Sequence, residues 1–319
     1  MTAPFHVTEV DYGSPFVIKD RKGRGCKTSK CYICLFIYFS TKAIHLELVS
    51  DATSESFIAA LRRFVSRRGK PAHIYSDNGT NFIGANRELN ELAELLIKEQ
   101  LTLSEHISNT GITWHFIPAY SPHFGGLWEA GLKSTKYHLK RVSSSSSLTF
   151  KEFYTLLTQI EAILNSRPLT PLSTDPNDLV PLTPAHFLIG KTLNAVANPD
   201  LTHVPDSRVS RWQLIQKLQQ HFWKRWSKEY ISELQQRTKW KKPFNKLTEG
   251  ALVLIKDENL PPFKWRMGRI TSVHPGRDQA VRVATVKTSI GSVRITAAKL
   301  CPLPIEECIK PNINYITLR

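Results

Sequence analysis

At 319 residues, with 41% hydrophobic and 22% charged residues, the chain is long enough for about two folded domains and has an ordinary globular make-up. No run reaches the roughly 18 apolar residues of a membrane span, the longest being the strand-sized Ile33 to Phe39, and no basic, apolar leader opens the sequence. The net charge of +16 is uneven: residues 1–204 hold 21 basic and 18 acidic residues, whereas 205–319 hold 22 and 9, with five of the seven tryptophans. Basic charge interleaved with aromatics suits a phosphate backbone, because each neutralised phosphate releases counterions.

Taken in chain order, the first 142 residues alternate strand and helix patterns. Phe5 to Asp11 predicts a strand, and Cys31 to Phe39 a second, apolar on both faces and therefore central. Within it Cys31 and Cys34 form a lone CxxC. Residues three apart on a strand point to opposite faces, which argues against a shared metal. Five cysteines at irregular spacing point to a reducing compartment. Ile44, Leu46 and Leu48 alternate with His45, Glu47 and Ser50, a third strand with one polar face.

A helix follows, with Phe57, Ile58, Leu61, Phe64 and Val65 in one stripe and Arg62, Arg63, Arg67 and Arg68 among the other positions, until Gly69 and Pro71 stop it. Next come a short strand ending at Asp77, a helix bearing Leu89, Leu92, Leu95 and Leu96, and a strand at Thr113 to Ile117. A Pro- and Gly-bearing loop leads to a helix over about Leu127 to Val142. Thr149 and Glu152 make a capping box for a further helix that Pro168 ends. Residues 168–205 read as an irregular connection and 206–242 as a basic, Trp-bearing helix. From Gly250 the period changes to two, and four or five short strands predict a small barrel.

Three carboxylates stand out by position. Asp11 ends the first strand, Asp77 ends a short strand before Asn78-Gly79, and Glu129 opens a helix after a Gly-Gly loop. Singly, each has a plain structural explanation as a turn or helix-start acid. Together, in an alternating domain, they can converge at one sheet edge, where like charges are stable only if cations neutralise them. Two magnesium ions do so and clamp both oxygens of an in-line phosphoryl displacement. Lys133 and Lys136, at i+4 and i+7 from Glu129, share its helix face, and Lys140 extends it, a row fit to track a nucleic-acid strand. No GxGxxG, GxSxG or P-loop pattern is present.

The strings around Asp11 (VDYGSPF), Asp77 (YSDNGTNF) and Glu129 (PHFGGLWEA), with KAIHLELV from Lys42, ILNSRPLT from Ile163 and the segment from Gly250 to Pro304, resemble the integrase of BEL/Pao-type LTR retrotransposons through nearly the whole chain. That resemblance implies an α/β, RNase H-like catalytic core with a mixed five-stranded sheet and flanking helices over 1–168. It further implies a linker over 169–245, an SH3-like DNA-binding barrel over 246–305 and a tail over 306–319. It implies a D,D,E triad of Asp11, Asp77 and Glu129 holding two Mg²⁺ or Mn²⁺ ions for DNA 3′-end processing and strand transfer. DNA contacts are expected at Asn78, Lys133, Lys136, Lys140, Arg266 and Arg269.

The implied partners are element-end and target DNA and further copies of the chain, with manufacture in the cytoplasm, action in the nucleus and no membrane. Such integrases usually carry a His₂Cys₂ zinc module before the core, whereas only His6 and no cysteine precede Asp11 here, and Ser292-Val-Arg-Ile-Thr replaces the family's basic Tyr-Lys-Arg-Pro-like string. The competing expectation is a non-catalytic, DNA-binding integrase fragment.

Overall fold

In the computed structural model the described residues are 3–13, 15–23, 25–99, 111–116, 136–141, 148–173, 175–241, 247–257, 259–278 and 281–303. They divide into two units, Met1–Asn165 with Leu201–Phe222, and Ser166–Asp200 with Trp223–Arg319.

The first unit is built on strands β1 (Val7–Tyr12), β2 (Phe16–Lys19), β3 (Thr28–Tyr38), β4 (Ile44–Val49), β5 (His73–Ser76) and β6 (Thr113–Phe116). β3 pairs antiparallel with β4 on one edge and with β1 on the other, and β1, β5 and β6 run parallel to one another. The expected mixed sheet of five strands is present, with β2 as a sixth element. β2 prolongs β1 along β3: Tyr12 faces Cys34 and Phe16 faces Cys31, so β1–β2 spends one residue more than β3. The extra residue falls after Tyr12 and before Phe16, just past the end of β1.

Helices α1 (Ser54–Arg68) and α2 (Thr80–Glu99) cover one face of this sheet. An aromatic layer fills the space beneath them. Phe36 stacks on Phe64 at 4.2 Å between centroids, Phe57 meets Phe82 edge-on at 5.0 Å, and Tyr12 lies 5.5 Å from Phe82. Each fully buried ring of this kind contributes about 1.5–3 kcal/mol. Gly84 lets α1 and α2 approach, since a Cβ there would sit 2.1 Å from Ser54 Oγ. The opposite face receives α4 (Phe150–Asn165), whose Phe153, Leu156, Leu157 and Ile160 are buried. A helical stretch at 136–141, α3, also lies on that side, with Leu139 buried. The remainder of the helix expected over 127–142 falls outside the described residues.

The polar face expected for the third strand is not solvated. β4 is buried along its whole length, with His45 at 2% exposure and Glu47 at 0%. The α1 arginines explain this: Arg63 Nε reaches Glu47 at 2.6 Å, Arg67 reaches it at 2.8 Å, and Arg68 reaches Glu161 of α4 at 2.6 Å. His45 bridges Glu47 and Glu161 at 3.1 and 3.4 Å. Burial opposes charge on Glu47, yet the His45 and Arg63 bonds outweigh it and hold its carboxyl below the ordinary value. Burial likewise opposes protonation of His45, but Glu161 and Glu47 raise its pKa. The outer backbone of β4 is satisfied by α4 side chains. Asn165 accepts from Ile44 N at 2.9 Å and donates to Ile44 O at 2.8 Å, and Glu161 accepts from Leu46 N at 2.8 Å.

Cys31 and Cys34 lie fully buried on opposite faces of β3, and burial pushes the Cys31 thiol up to about 12. The capping box of α4 forms as expected, with Thr149 N donating to Glu152 at 2.9 Å. Arg211, opening α6 (Arg211–Lys241), also pairs with Glu152. Burial alone would raise the Glu152 pKa; the Arg211 and Thr149 bonds prevail and hold it at about 2.

The connection over 168–205, expected to be irregular, includes a two-stranded pair, β7 (Thr170–Pro171) with β8 (Pro181–Leu182), and a short helix α5 (Pro184–Ile189), all in the second unit. The C-terminal strands β9 (Leu252–Ile255), β10 (Met267–Pro275), β11 (Val281–Thr288), β12 (Gly291–Thr296) and β13 (Leu300–Pro302) form an antiparallel sheet in the order β12-β11-β10-β9-β13. A Cβ on Gly268 would lie 2.4 Å from Val286 Cγ1, which is why β10 needs glycine where it crosses β11.

The tryptophans here serve packing. Trp223 and Trp226 are each 4% exposed and surround the partly buried Trp265 with Tyr230. Their polar ends are occupied, Trp223 by Leu260 O at 2.8 Å and Trp265 by Ser166 Oγ at 3.3 Å. The expected aromatic platform for nucleic acid is therefore largely a core in this unit.

Replacing Asn165 by Ala leaves an amide and a carbonyl of Ile44 buried without their partner. The unfolding free energy should fall by about 2–4 kcal/mol, read from urea denaturation of the full chain. The depressed Glu152 pKa stabilises the fold fully above its ordinary value of 4.5, and that stabilisation fades as pH falls toward about 2. Glu152→Gln should therefore flatten the loss of melting temperature across that acid window, measured as melting curves against pH.

Candidate active site at the ends of β1 and β5

β1 and β5 run side by side in fixed register: Val7 faces His73, Thr8 faces Ile74 and Glu9 faces Tyr75. Carried two residues further, the same offset sets Asp77 beside Asp11. Adjacent strands are about 4.8 Å apart, and residues in register on parallel strands share a face. The register thus carries the two aspartates to the carboxyl ends of neighbouring parallel strands. Asp11 still belongs to β1 and is paired with Leu35, whereas Asp77 lies one residue beyond β5.

The turn after β5 fixes Asp77. Its Oδ1 accepts from Gly79 N at 3.0 Å, and Ser76 Oγ donates to the Asp77 carbonyl at 2.9 Å. A Cβ on Gly79 would fall 2.8 Å from Asn81 Oδ1 and 3.0 Å from Asp77 Oδ1. Glycine is the residue that lets the carboxylate fold back over the turn, a role invisible in the string Asp-Asn-Gly read merely as a turn. Tyr12, next to Asp11, points the other way into the aromatic layer, where burial drives its hydroxyl pKa far up.

Lys136 of α3 forms an ion pair with Asp11 Oδ2 and donates to the Tyr12 carbonyl at 3.1 Å. Leu139, one turn on, anchors the helix in a cleft lined by Gly13, Phe16, Ile33 and Leu35. An ammonium group thus already rests against one of the two carboxylates. The donor chemistry, hard carboxylate oxygens from two adjacent strand ends with a cation at one of them, fits a divalent magnesium or manganese ion.

The remaining expected residues are placed as follows. Asn78 is exposed beside Asp77, and Lys140 is exposed on α3. Glu129 and Lys133 lie outside the described residues. Among the described residues no group of three or more His, Cys, Asp and Glu is arranged to hold a metal. In the second unit Arg266 pairs with Asp257 at 2.9 Å. Arg269 is 7% exposed and donates to the carbonyls of Gly250 and Asp178, both at 2.8 Å. Its donors bind strand β10 to the segment before β8, so they serve the fold and are not presented to a phosphate.

On the face that carries Asp11 and Asp77, His73 and His115 hydrogen-bond at 3.1 Å, and His115 stacks on Tyr75 with centroids 4.4 Å apart. Burial, and then the neighbouring His73, lower the His115 pKa.

Residues 1–122 match the model of the integrase core domain, and residues 210–303 match a family of unknown function, DUF5641. No curated protein matches the chain. Among solved structures, the chain is similar to a simian T-cell lymphotropic virus intasome bound to a PP2A regulatory subunit, at 14% identity over 95% of this chain and 80% of the other, with a TM-score of 0.40. It is also similar to the catalytic core domain of BIV integrase, at 15% identity over 58% and 95% with a TM-score of 0.37. The HTLV-2 integrase core in complex with magnesium gives 18% identity over 58% and 97%, with a TM-score of 0.34. The first unit thus has the integrase catalytic core fold, a mixed sheet with flanking helices, followed by a β-rich C-terminal region.

Lys136 competes with any cation for Asp11. Both groups are about a third exposed, at 30% and 39%, so solvent weakens the pair. Lys136→Met should strengthen Mn²⁺ binding by roughly two- to fivefold, measured by titration calorimetry of the DNA-free protein.

Proposed function

We propose that the chain is the catalytic core and C-terminal region of a BEL/Pao-type retrotransposon integrase, which processes DNA 3′ ends and joins them to target DNA. The observation that carries this is the juxtaposition of Asp11 and Asp77 by the β1–β5 register, with an ammonium group drawn to Asp11. The integrase core-domain match over residues 1–122 supports the same reaction class.

Asp11 and Asp77, completed by Glu129, would hold two Mg²⁺ or Mn²⁺ ions. Such ions, when bound, activate an oxygen nucleophile and neutralise the charge that develops on the phosphoryl group. In end processing, water oxygen bonds to phosphorus as the bond to the element's 3′ oxygen breaks. In joining, that 3′-hydroxyl attacks a target phosphodiester and displaces another 3′ oxygen. The protein's own contribution is positioning and charge. Asp11 is fixed by its pairing in β1, and Asp77 by the Gly79 amide. Lys136, released from Asp11 when a metal takes its place, would turn to a DNA phosphate, joined by Lys140 on the same helix and by Lys133. Asn78 flanks the site. The β12-β11-β10-β9-β13 order, with a short 3₁₀ turn at Ala297–Lys299 before β13, supports an SH3-like module, in which Arg266 would meet DNA. Further copies of the chain on DNA, and action in the nucleus, complete the proposal.

Asp77→Asn should abolish Mn²⁺-dependent nicking and joining of an element-end duplex while leaving duplex binding within about twofold. Joining at the normal rate by that variant overturns the assignment of Asp77. A wild-type protein that binds the duplex and never nicks it overturns the enzymatic proposal in favour of a DNA-binding fragment.

A further inference from the structure

The β2–β3 hairpin carries a charge that the site above does not use. Between residues 19 and 30 the sequence places Lys19, Arg21, Lys22, Arg24, Lys27 and Lys30 against the single acid Asp20. A solvated face has no need of one sign. Helix α2, also at the surface, mixes Arg87 with Glu88 and Glu91.

The hairpin is a rigid carrier for this charge. The inward side chains Phe16 and Ile18 are each 7% exposed, and Phe16 packs on Phe153 of α4 at 5.2 Å. Lys19 N bonds Leu148 O at 2.9 Å, and Asp20 N bonds Lys27 O at 3.0 Å to close the turn. Because strand side chains alternate, the outward row is Val17 and Lys19 on β2 with Thr28 and Lys30 opposite on β3. Among the described residues, the acidic partner these cations meet is Glu152, 3.6 Å from Lys22, and Glu152 is already engaged by Arg211 and Thr149. Among the described residues the charge is therefore carried on a paired hairpin and largely unneutralised.

We propose that this hairpin is a second nucleic-acid contact, gripping the phosphate backbone of a duplex whose reacting phosphodiester lies at Asp11 and Asp77. The inference rests on the integrase reading for the location of that phosphodiester. β2 continues β1, so the seven to eight residues from Asp11 to Lys19 span roughly 20–25 Å at the strand rise. Phosphates along one strand of a duplex advance about 3.4 Å per base pair. The grip thus falls about six to seven base pairs from the reacting bond. The shared chemistry is a duplex phosphate backbone, supplied by either the element end or the target.

The test uses the full chain with Lys19, Lys27 and Lys30 changed together to Gln, whose stems preserve the hairpin packing, and an unchanged melting temperature establishes folding. Each lost phosphate contact lowers the salt slope of log affinity by about 0.9. The variant should lose about 2–3 units of slope on a long duplex and keep normal Mn²⁺-dependent nicking of an element end only five base pairs long. Running element-end and target duplexes in parallel identifies which one is gripped. In the unaltered protein, photo-crosslinks from bases six or seven pairs from the reacting bond should map to residues 19–30. An unchanged slope on both duplexes, crosslinks elsewhere, or stronger competition by polyglutamate than by DNA of equal charge overturns the proposal. Loss of nicking in Asp77→Asn alongside an unchanged slope here leaves the active-site reading standing and removes only the hairpin. Absent nicking in the wild type, with the slope still lowered, does the reverse.

Discussion

Parallel pairing of β1 with β5 is the constraint on which the candidate site depends. Asp11 and Asp77 are 66 positions apart, and it is the register of Val7, Thr8 and Glu9 against His73, Ile74 and Tyr75 that makes them neighbours. A slip of one residue would send one carboxylate to the opposite face, into the aromatic layer with Tyr12 and Phe82. Both faces of this part of the sheet specify the register, since Val10 and Ile74 are buried under α1 and α2 while Glu9, Asp11 and Tyr75 occupy the other side. The chemistry is thus protected by packing that has no chemical role of its own.

Much of this architecture is legible in the sequence because it follows local rules. Period-two and period-3.6 patterns locate β1, β3, β5, α1 and α2, and the Thr149–Glu152 pair marks the start of α4. What escapes are properties set between distant elements. His45 and Glu47 look solvent-facing by alternation, yet arginines one or two turns apart on α1 bring compensating charge, and the strand is buried on both sides. β2 is hidden because its four residues, Phe16–Lys19, follow a turn-like Gly-Ser-Pro, and only pairing with β3 makes them a strand. Gly79 reads as a turn residue until its missing Cβ is seen to make room for the Asp77 carboxylate.

The C-terminal half illustrates how composition and geometry diverge. Basic residues with tryptophans suggest a stacking surface, but Trp223, Trp226 and Trp265 form an interior in which the indoles of Trp223 and Trp265 are hydrogen-bonded, and Arg269 donates to carbonyls. Large aromatics near lysines are as apt to build a small domain's core as to meet a base. The cations left at the surface, among them Lys287 and Arg294 on β11 and β12, are those whose charge still reaches solvent.

The sealed edge of β4 has a consequence beyond packing. An edge strand with its backbone open is a template on which any extended segment can dock, and repeated docking leads to aggregation. Asn165 occupies both polar groups of Ile44, and Glu161 takes the amide of Leu46, so α4 withdraws that template along the strand. A protein held at high local concentration is the one most exposed to such misassembly. Its safeguard is a single helix, and partial unfolding that lifts α4 is the event that would lay the edge bare.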